Sequence, residues 1–218
     1  DNAVSQKPKG IVITLPDAAA LGKSVKAAIA AGIPVVSMNS GSDDYASLGI
    51  SAHVGQTEFE AGVGGGQKMK AAGGKKALCV NHEVGNVALD RRCAGFKKGF
   101  GGSVDILGTS NDPTEIQKAV AAKLGGGYDT ILTLGAGLSG EAALKALEAA
   151  GKVGNVKLGT FDMSPNMLKA AAAGKVEFLI DQQQYLQGYL PIAIFAQYMR
   201  WGTMPAGVVM TGPGFVTP

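Results

Sequence analysis

The sequence, 218 residues with 20 basic and 17 acidic side chains, carries a net charge of +3, and its basic residues never cluster beyond Lys-Lys or Arg-Arg. So even a balance argues against nucleic acid or an acidic membrane surface as partner, 46% apolar residues exclude a disordered chain, and no apolar run reaches the about 18 to 20 residues that span a bilayer. The 33 glycines against 6% aromatics suit tight strand-to-helix turns and close packing of helices on sheets.

Residues 1–9 read as the last turns of a helix whose beginning is absent. Gly10 to Thr14 is a strand, and Pro16-Asp17 leads into a helix from Ala18 to Ala31 that stops at Gly32. The strand Pro34 to Met38 ends in a polar turn, Asn39 to Asp44. A short strand over Ala52 to Gly55 precedes a helix from Glu58 to Ala72, with Thr57 and Glu60 placed to form a capping box.

Ala77 to Val80 is an apolar run typical of a parallel strand covered on both faces. Asn81, His82, Glu83 and Asn86 crowd polar groups beyond its carboxyl end, where open α/β sheets place ligand sites. From Val87 the spacing of Leu89, Cys93, Phe96 and Phe100 predicts a helix with one apolar face. Asp90 and Arg92, in its first turns, point back to the same polar mouth. This unit reads as one wall of a small-molecule site.

A strand at Val104 to Gly108 and a helix at Pro113 to Leu124 follow, the helix opened by Asp112 ahead of Pro113. The alternation repeats with strand Thr130 to Leu134, helix Ser139 to Ala150, strand Val156 to Thr160, helix Pro165 to Ala173 and strand Val176 to Ile180. A long helix from Gln182 to Trp201 and short strands at Val208 to Met210 and Phe215 to Thr217 close the chain. Strands alternating with helices of this length imply an α/β fold with parallel sheets and right-handed crossovers.

Cys79 lies in a strand and Cys93 in the helix that packs back on it, so a disulfide and two buried free thiols both stay open; spacing alone does not place the Cα atoms. The two histidines, His53 and His82, fall in different units and neither pairs with a cysteine, so no metal site is expected. Gly135-Ala-Gly137-Leu-Ser-Gly140 matches the dinucleotide fingerprint, and Asp162 stands 22 residues past Gly140 at the end of the next strand. This is the argument for an NAD-dependent oxidoreductase. Against it, such a unit usually opens its domain, whereas here earlier strand–helix units precede it; the plain reading is a tight turn with close packing at Gly140. Gly22-Lys23-Ser24 lacks the first glycine of a phosphate loop, because residue 17 is Asp17.

Taken as an ordered set, GIVITLPD, AAGIPVVSMNSG, HVGQTEFEAG, the D-x-R-x-x-G-F run from Asp90 to Phe96, NDPTEIQKAV, GEAALKALEAAGK, KLGTFDMSPN and AAGKVEFLIDQQQYLQG resemble type I periplasmic sugar-binding proteins, the ribose-binding-like solute-binding components of ABC importers. The resemblance covers nearly the whole chain. It implies two Rossmann-like lobes joined by a three-strand hinge, residues 1–56 with 182–218 in the N-terminal lobe and 57–181 in the C-terminal one, with a sugar or sugar alcohol held between them. It further implies a monomer in the periplasm that delivers its ligand to a membrane permease, with no catalysis and no cofactor. The family opens with strand and helix units before the equivalent of GIVIT, so at about 30 residues per unit roughly 50 to 70 residues are expected to be absent from the first lobe. No signal peptide opens the sequence.

By the resemblance, Asn39 takes the place of an aspartate that bonds sugar hydroxyls, with Ser40 where an arginine often follows. Arg92 matches an arginine ahead of the Gly-Phe pair, whose fork of donors suits two hydroxyl oxygens; the other reading is a surface salt bridge, with Arg91 beside it. Asp162 matches a strand-end aspartate that accepts from adjacent hydroxyls; otherwise it caps the helix from Pro165. Gln182 matches a hinge-side amide, in a register that Gln183 and Gln184 share. The family's asparagine after LTL is replaced within Gly135-Ala136-Gly137, so either a backbone N–H, as at Gly137, does that work or the ligand is smaller. Asn86, Asp90, Asp112 and His82 are second-rank positions. A third reading, the effector-binding core of a sugar-responsive repressor, shares the fold and calls for a helix-turn-helix ahead of it.

Overall fold

The computed structural model describes residues 2–218. In chain order its elements are α1 (Asn2–Ser5), β1 (Ile11–Ile13), α2 (Ala18–Ala30), β2 (Val35–Asn39), β3 (Ala52–Gly55), α3 (Glu58–Ala71), β4 (Lys76–Asn81), α4 (Val87–Phe100), β5 (Ser103–Gly108) and α5 (Pro113–Lys123). There follow β6 (Thr130–Thr133), α6 (Glu141–Ala149), β7 (Lys157–Phe161), α7 (Pro165–Ala172), β8 (Phe178–Asp181), α8 (Gln184–Trp201), β9 (Gly207–Met210) and β10 (Gly214–Val216).

Four helices, α2, α4, α5 and α7, start behind side-chain caps. Asp17 accepts from the Ala20 N–H, Asn86 from Ala88, Asp112 from Thr114 and Glu115, and Ser164 from Met167, with Pro113 and Pro165 entering the helices behind two of them. Tyr45–Leu48 forms a 3-10 turn inside the polar connection after β2, and Ala136–Gly140 forms a π turn ahead of α6. The spacing predicts a helix from Ser139; regular α geometry begins two residues later because the glycine-rich turn is wound wider.

The chain divides into two units, one of residues up to Thr57 with Gln182–Gly212 and one of Glu58–Asp181 with Pro213–Pro218. The first holds a parallel sheet in the order β1-β2-β3-β9, in which Asn39 and Gly55 are register neighbours at the carboxyl edge. Val36 and Val54 face Ile194 and Phe195 of α8, while Leu15, Val25, Ala28, Val35, Leu48 and Ile50 make a second cluster. The other unit holds a six-stranded sheet, β10-β8-β7-β6-β4-β5. Two differences from the sequence reading meet here. Residues 213–218 belong to this unit rather than to the first lobe, and the sheet is mixed, because β10 pairs antiparallel with β8, Phe215 opposite Ile180. Phe215 adds its ring edge-on to Phe178, which stabilises the return.

Strand side chains alternate across this sheet. Leu78, Val80, Ile131, Leu158 and Leu179 join the core under α5, α6 and α7, and Cys79, Leu132, Phe161, Phe178 and Ile180 join the one under α3 and α4. Cys79 and Cys93 are bonded, with Cα atoms 5.8 Å apart, so α4 is tied to β4. Between α3 and α4 the approach is backbone to backbone. A Cβ on Gly62 would lie 2.2 Å from the Arg92 carbonyl oxygen, one on Gly95 2.0 Å from that of Phe59, and one on Gly99 2.0 Å from that of Val63. Glycine spacing of four on both helices, Gly62/Gly66 and Gly95/Gly99, is what lets them meet.

Candidate functional site

In the second unit the chain leaves β4 through α4 to β5 on one flank, then crosses through α5 to β6 on the other. The strand order therefore reverses between β4 and β6, and ligands of open α/β sheets bind in the crevice outside the carboxyl ends at such a point. His82 directly follows β4, Gly135 lies two residues past β6, and Asp162 directly follows β7. A Cβ built on Gly135 would stand 3.2 Å from His82 Cε1 and 3.7 Å from Asp162 Oδ2, so glycine at 135 keeps open the space that those two side chains border.

Arg92 is buried, at 4% exposure, and Glu58, the first residue of α3, is buried with it. The guanidinium donates from Nε to Glu58 Oε2 at 2.5 Å and from Nη1 to the Leu134 carbonyl at 3.1 Å. Its Cζ lies 4.4 Å from the centroid of the Phe161 ring. Arg92 is thus held by the residues that precede Gly135 and Asp162. The surface salt bridge considered for it is not what forms: the pair is interior, and Arg91 is the more exposed of the two arginines.

His82 is half-buried with Nδ1 3.3 Å from Ser139 Oγ, while that hydroxyl donates to the Gly135 carbonyl at 3.0 Å. Burial pushes its pKa down, and the Arg92 charge adds to the effect against the opposing Glu83 and Asp162. The imidazole is therefore neutral at pH 7, one nitrogen donating and the other accepting. Asp162 is half-buried with φ of 67°. It does not cap α7; Ser164 does.

In the first unit Asn39 ends β2 with φ of 62°, and Gln183 precedes α8 with φ of 54°. Three of the four non-glycine residues at positive φ in the described residues, Asn39, Asp162 and Gln183, thus sit at carboxyl ends of strands. Such geometry persists where surrounding structure over-determines it, and it clusters at ligand sites. Asn39 Nδ2 donates to Gln187 Oε1 at 3.0 Å, and Gln187 Nε2 donates to the Gln182 carbonyl and to Thr211 Oγ1, each at 3.1 Å. Gln182 is buried.

The second-rank positions have local occupations. Asn86 and Asp112 cap α4 and α5, and Asp112 is held below the usual carboxylate range by the Glu115 and Thr114 amides. Asp90 is exposed and accepts from Asn81 Nδ2 at 2.8 Å. Gly137 is exposed, with open space where a side chain would stand, and lines a surface depression of about 180 Å³ beside Pro113, Thr114 and Gln117. Gly140 packs as the plain reading of the glycine turn expects, its Cβ position 3.0 Å from Thr160 Oγ1.

Two residues escape the sequence reading. Glu58 enters there only as the first residue of a helix. Gln187 carries a fainter signal, a polar residue on the side of α8 that bears Pro191 and Ile194.

Residues 1–203 match the model of the periplasmic binding protein domain. The chain belongs to that family. One relative of this periplasmic binding protein domain is the xylose/arabinose-binding protein XylF of Sulfolobus acidocaldarius, 25% identical over 99% of this chain; the chain spans 58% of that relative's length. Among solved structures, a carbohydrate transporter from Acidothermus cellulolyticus in complex with myo-inositol superposes with a TM-score of 0.94 at 35% identity, covering 99% of this chain and 76% of that one. A solute-binding protein of an ABC transporter from Burkholderia graminis in complex with D-arabinose gives a TM-score of 0.87 at 23% identity, over 99% and 78%, and speaks for the fold alone. The α/β architecture, with sheets parallel except at β10, is that of type I periplasmic binding proteins. No helix among the described residues is long and apolar enough to cross a membrane.

Proposed function

We propose that this periplasmic binding protein domain captures a sugar or sugar alcohol between its two lobes and passes it, outside the cytoplasmic membrane, to the permease of an ABC importer, without chemistry. The observation that carries the reading is the set Arg92, His82 and Asp162 gathered at the strand-order reversal of the second unit. A donor fork, a neutral ring that donates and accepts, and a carboxylate acceptor are what vicinal hydroxyls need, since each hydroxyl does both. The myo-inositol in the Acidothermus relative is a ligand of that chemistry. Asn39 and Gln182 would add amide contacts from the first unit, and a ligand that engages both lobes only when they close shifts the protein to the closed state.

A thermal-shift screen against pentoses, hexoses, inositols and NAD(H), followed by calorimetry, tests this. A sugar or polyol at 100 times its Kd should stabilise the fold by about 2.7 kcal/mol. Stabilisation by NAD(H) alone would overturn the reading and make the Gly135 turn a cofactor site.

A further inference from the structure

Given the sugar-binding reading, on which this inference rests, the buried partner of Arg92 bears on which hydroxyl compounds the site accepts. Glu58 and Arg92 come from helices that meet through backbone contacts, so their separation is set by the scaffold rather than by flexible side chains. The guanidinium has the Glu58 carboxylate at Nε, the Leu134 carbonyl at Nη1 and the Phe161 ring at its face. A buried arginine lacking such a carboxylate is a receptor for acids, because its planar fork matches a carboxylate or phosphate bidentately. Here the protein supplies the anion itself. At the His82 ring the Glu83 and Asp162 carboxylates oppose the Arg92 charge.

We propose that Glu58 is a specificity-determining positioning residue, which clamps and neutralises Arg92 so that the site takes uncharged polyols and sugars and rejects sugar acids and sugar phosphates of the same ring. The selection is electrostatic: an anionic ligand meets an arginine whose charge Glu58 already offsets and the carboxylate of Asp162 beside Gly135, whereas a hydroxyl still finds donors and acceptors.

The test compares thermal shifts and calorimetric affinities for a neutral panel (myo-inositol, D-arabinose, D-allose, D-ribose) with those for D-glucuronate and D-galacturonate. In the wild-type protein a neutral member should bind at least tenfold more tightly than either uronate. Glu58→Gln keeps the acceptor for Arg92 Nε and removes the charge, so the neutral-to-anionic affinity ratio should fall at least tenfold. Glu58→Asp keeps the charge on a shorter arm; it should weaken neutral binding while preserving the preference. A purely structural role would weaken all ligands alike, so an unchanged ratio in Glu58→Gln, or a preference lost in Glu58→Asp, overturns the proposal. If no ligand of either panel binds the wild-type protein, the sugar-binding reading fails and the pairing is judged on melting alone. Glu58→Gln and Arg92→Gln should each lower Tm or prevent folding, and the double variant, with no lone buried charge, should melt above either. Losses that simply add would overturn it.

Discussion

Asp162 and Asn39 hold a backbone conformation that costs an ordinary residue about 1–2 kcal/mol and glycine nothing. Asp162→Gly should therefore keep or raise Tm while weakening sugar binding by an order of magnitude or more, a split that calorimetry and a melting scan read on one sample. A variant that loses stability as well would show that the carboxylate serves the fold. The positions of these two residues were legible in the sequence, as polar residues where apolar strands end. Their φ was not, because the same letters describe an ordinary turn. Arg92 was legible only through its spacing from Gly95-Phe96, and its partner was hidden: Glu58 carries the composition of a helix first turn, where acids favour the macrodipole with no burial at all.

At the scale of elements, the α3–α4 seam makes opposite predictions for two helical glycines. Gly95→Ala would place its methyl 2.0 Å from the Phe59 carbonyl, and such overpacking costs about 1–3 kcal/mol. Gly188, inside α8 and exposed, meets nothing within 4 Å, so Gly188→Ala should gain up to about 1 kcal/mol from propensity. Urea denaturation of the two variants checks both signs, and a loss at both positions would show that the seam is not what restricts residue 95. Element order and nearly all boundaries could be read from apolar runs and caps, because those signals are local. The seam could not: its glycines suggested close packing, but which element lay opposite depended on topology. The antiparallel return of β10 is the same kind of case, since residues 213–218 carry no pattern that says which sheet they join.

For the molecule as a whole, acid tolerance is set partly by His53, in the interior of the first unit's sheet. Its ring is fully buried, Nδ1 lies 2.9 Å from Ser37 Oγ, and Nε2 has no hydrogen-bond partner among the described residues. Burial lowers its pKa to about 4. The unfolded chain takes up this proton near pH 6.5, before the folded one does, so the stability present above that pH drains away as pH falls towards 4. The loss is on the order of 3 kcal/mol from this group. Melting at pH 7 and pH 4.5 should show a larger drop for wild type than for His53→Gln; equal drops would assign the sensitivity to other groups.

The glycine seam also sorts the chain for anyone who would turn it into a sensor for a new compound. His82 and Asp162, whose side chains stand at strand ends beside the open space at Gly135, are the positions to vary in a library. Positions 62, 66, 95 and 99 are not, for any side chain there wedges the helices apart and carries Arg92 with it. Diversity belongs at the rim, and the seam is the part of the molecule that selection experiments should return unchanged.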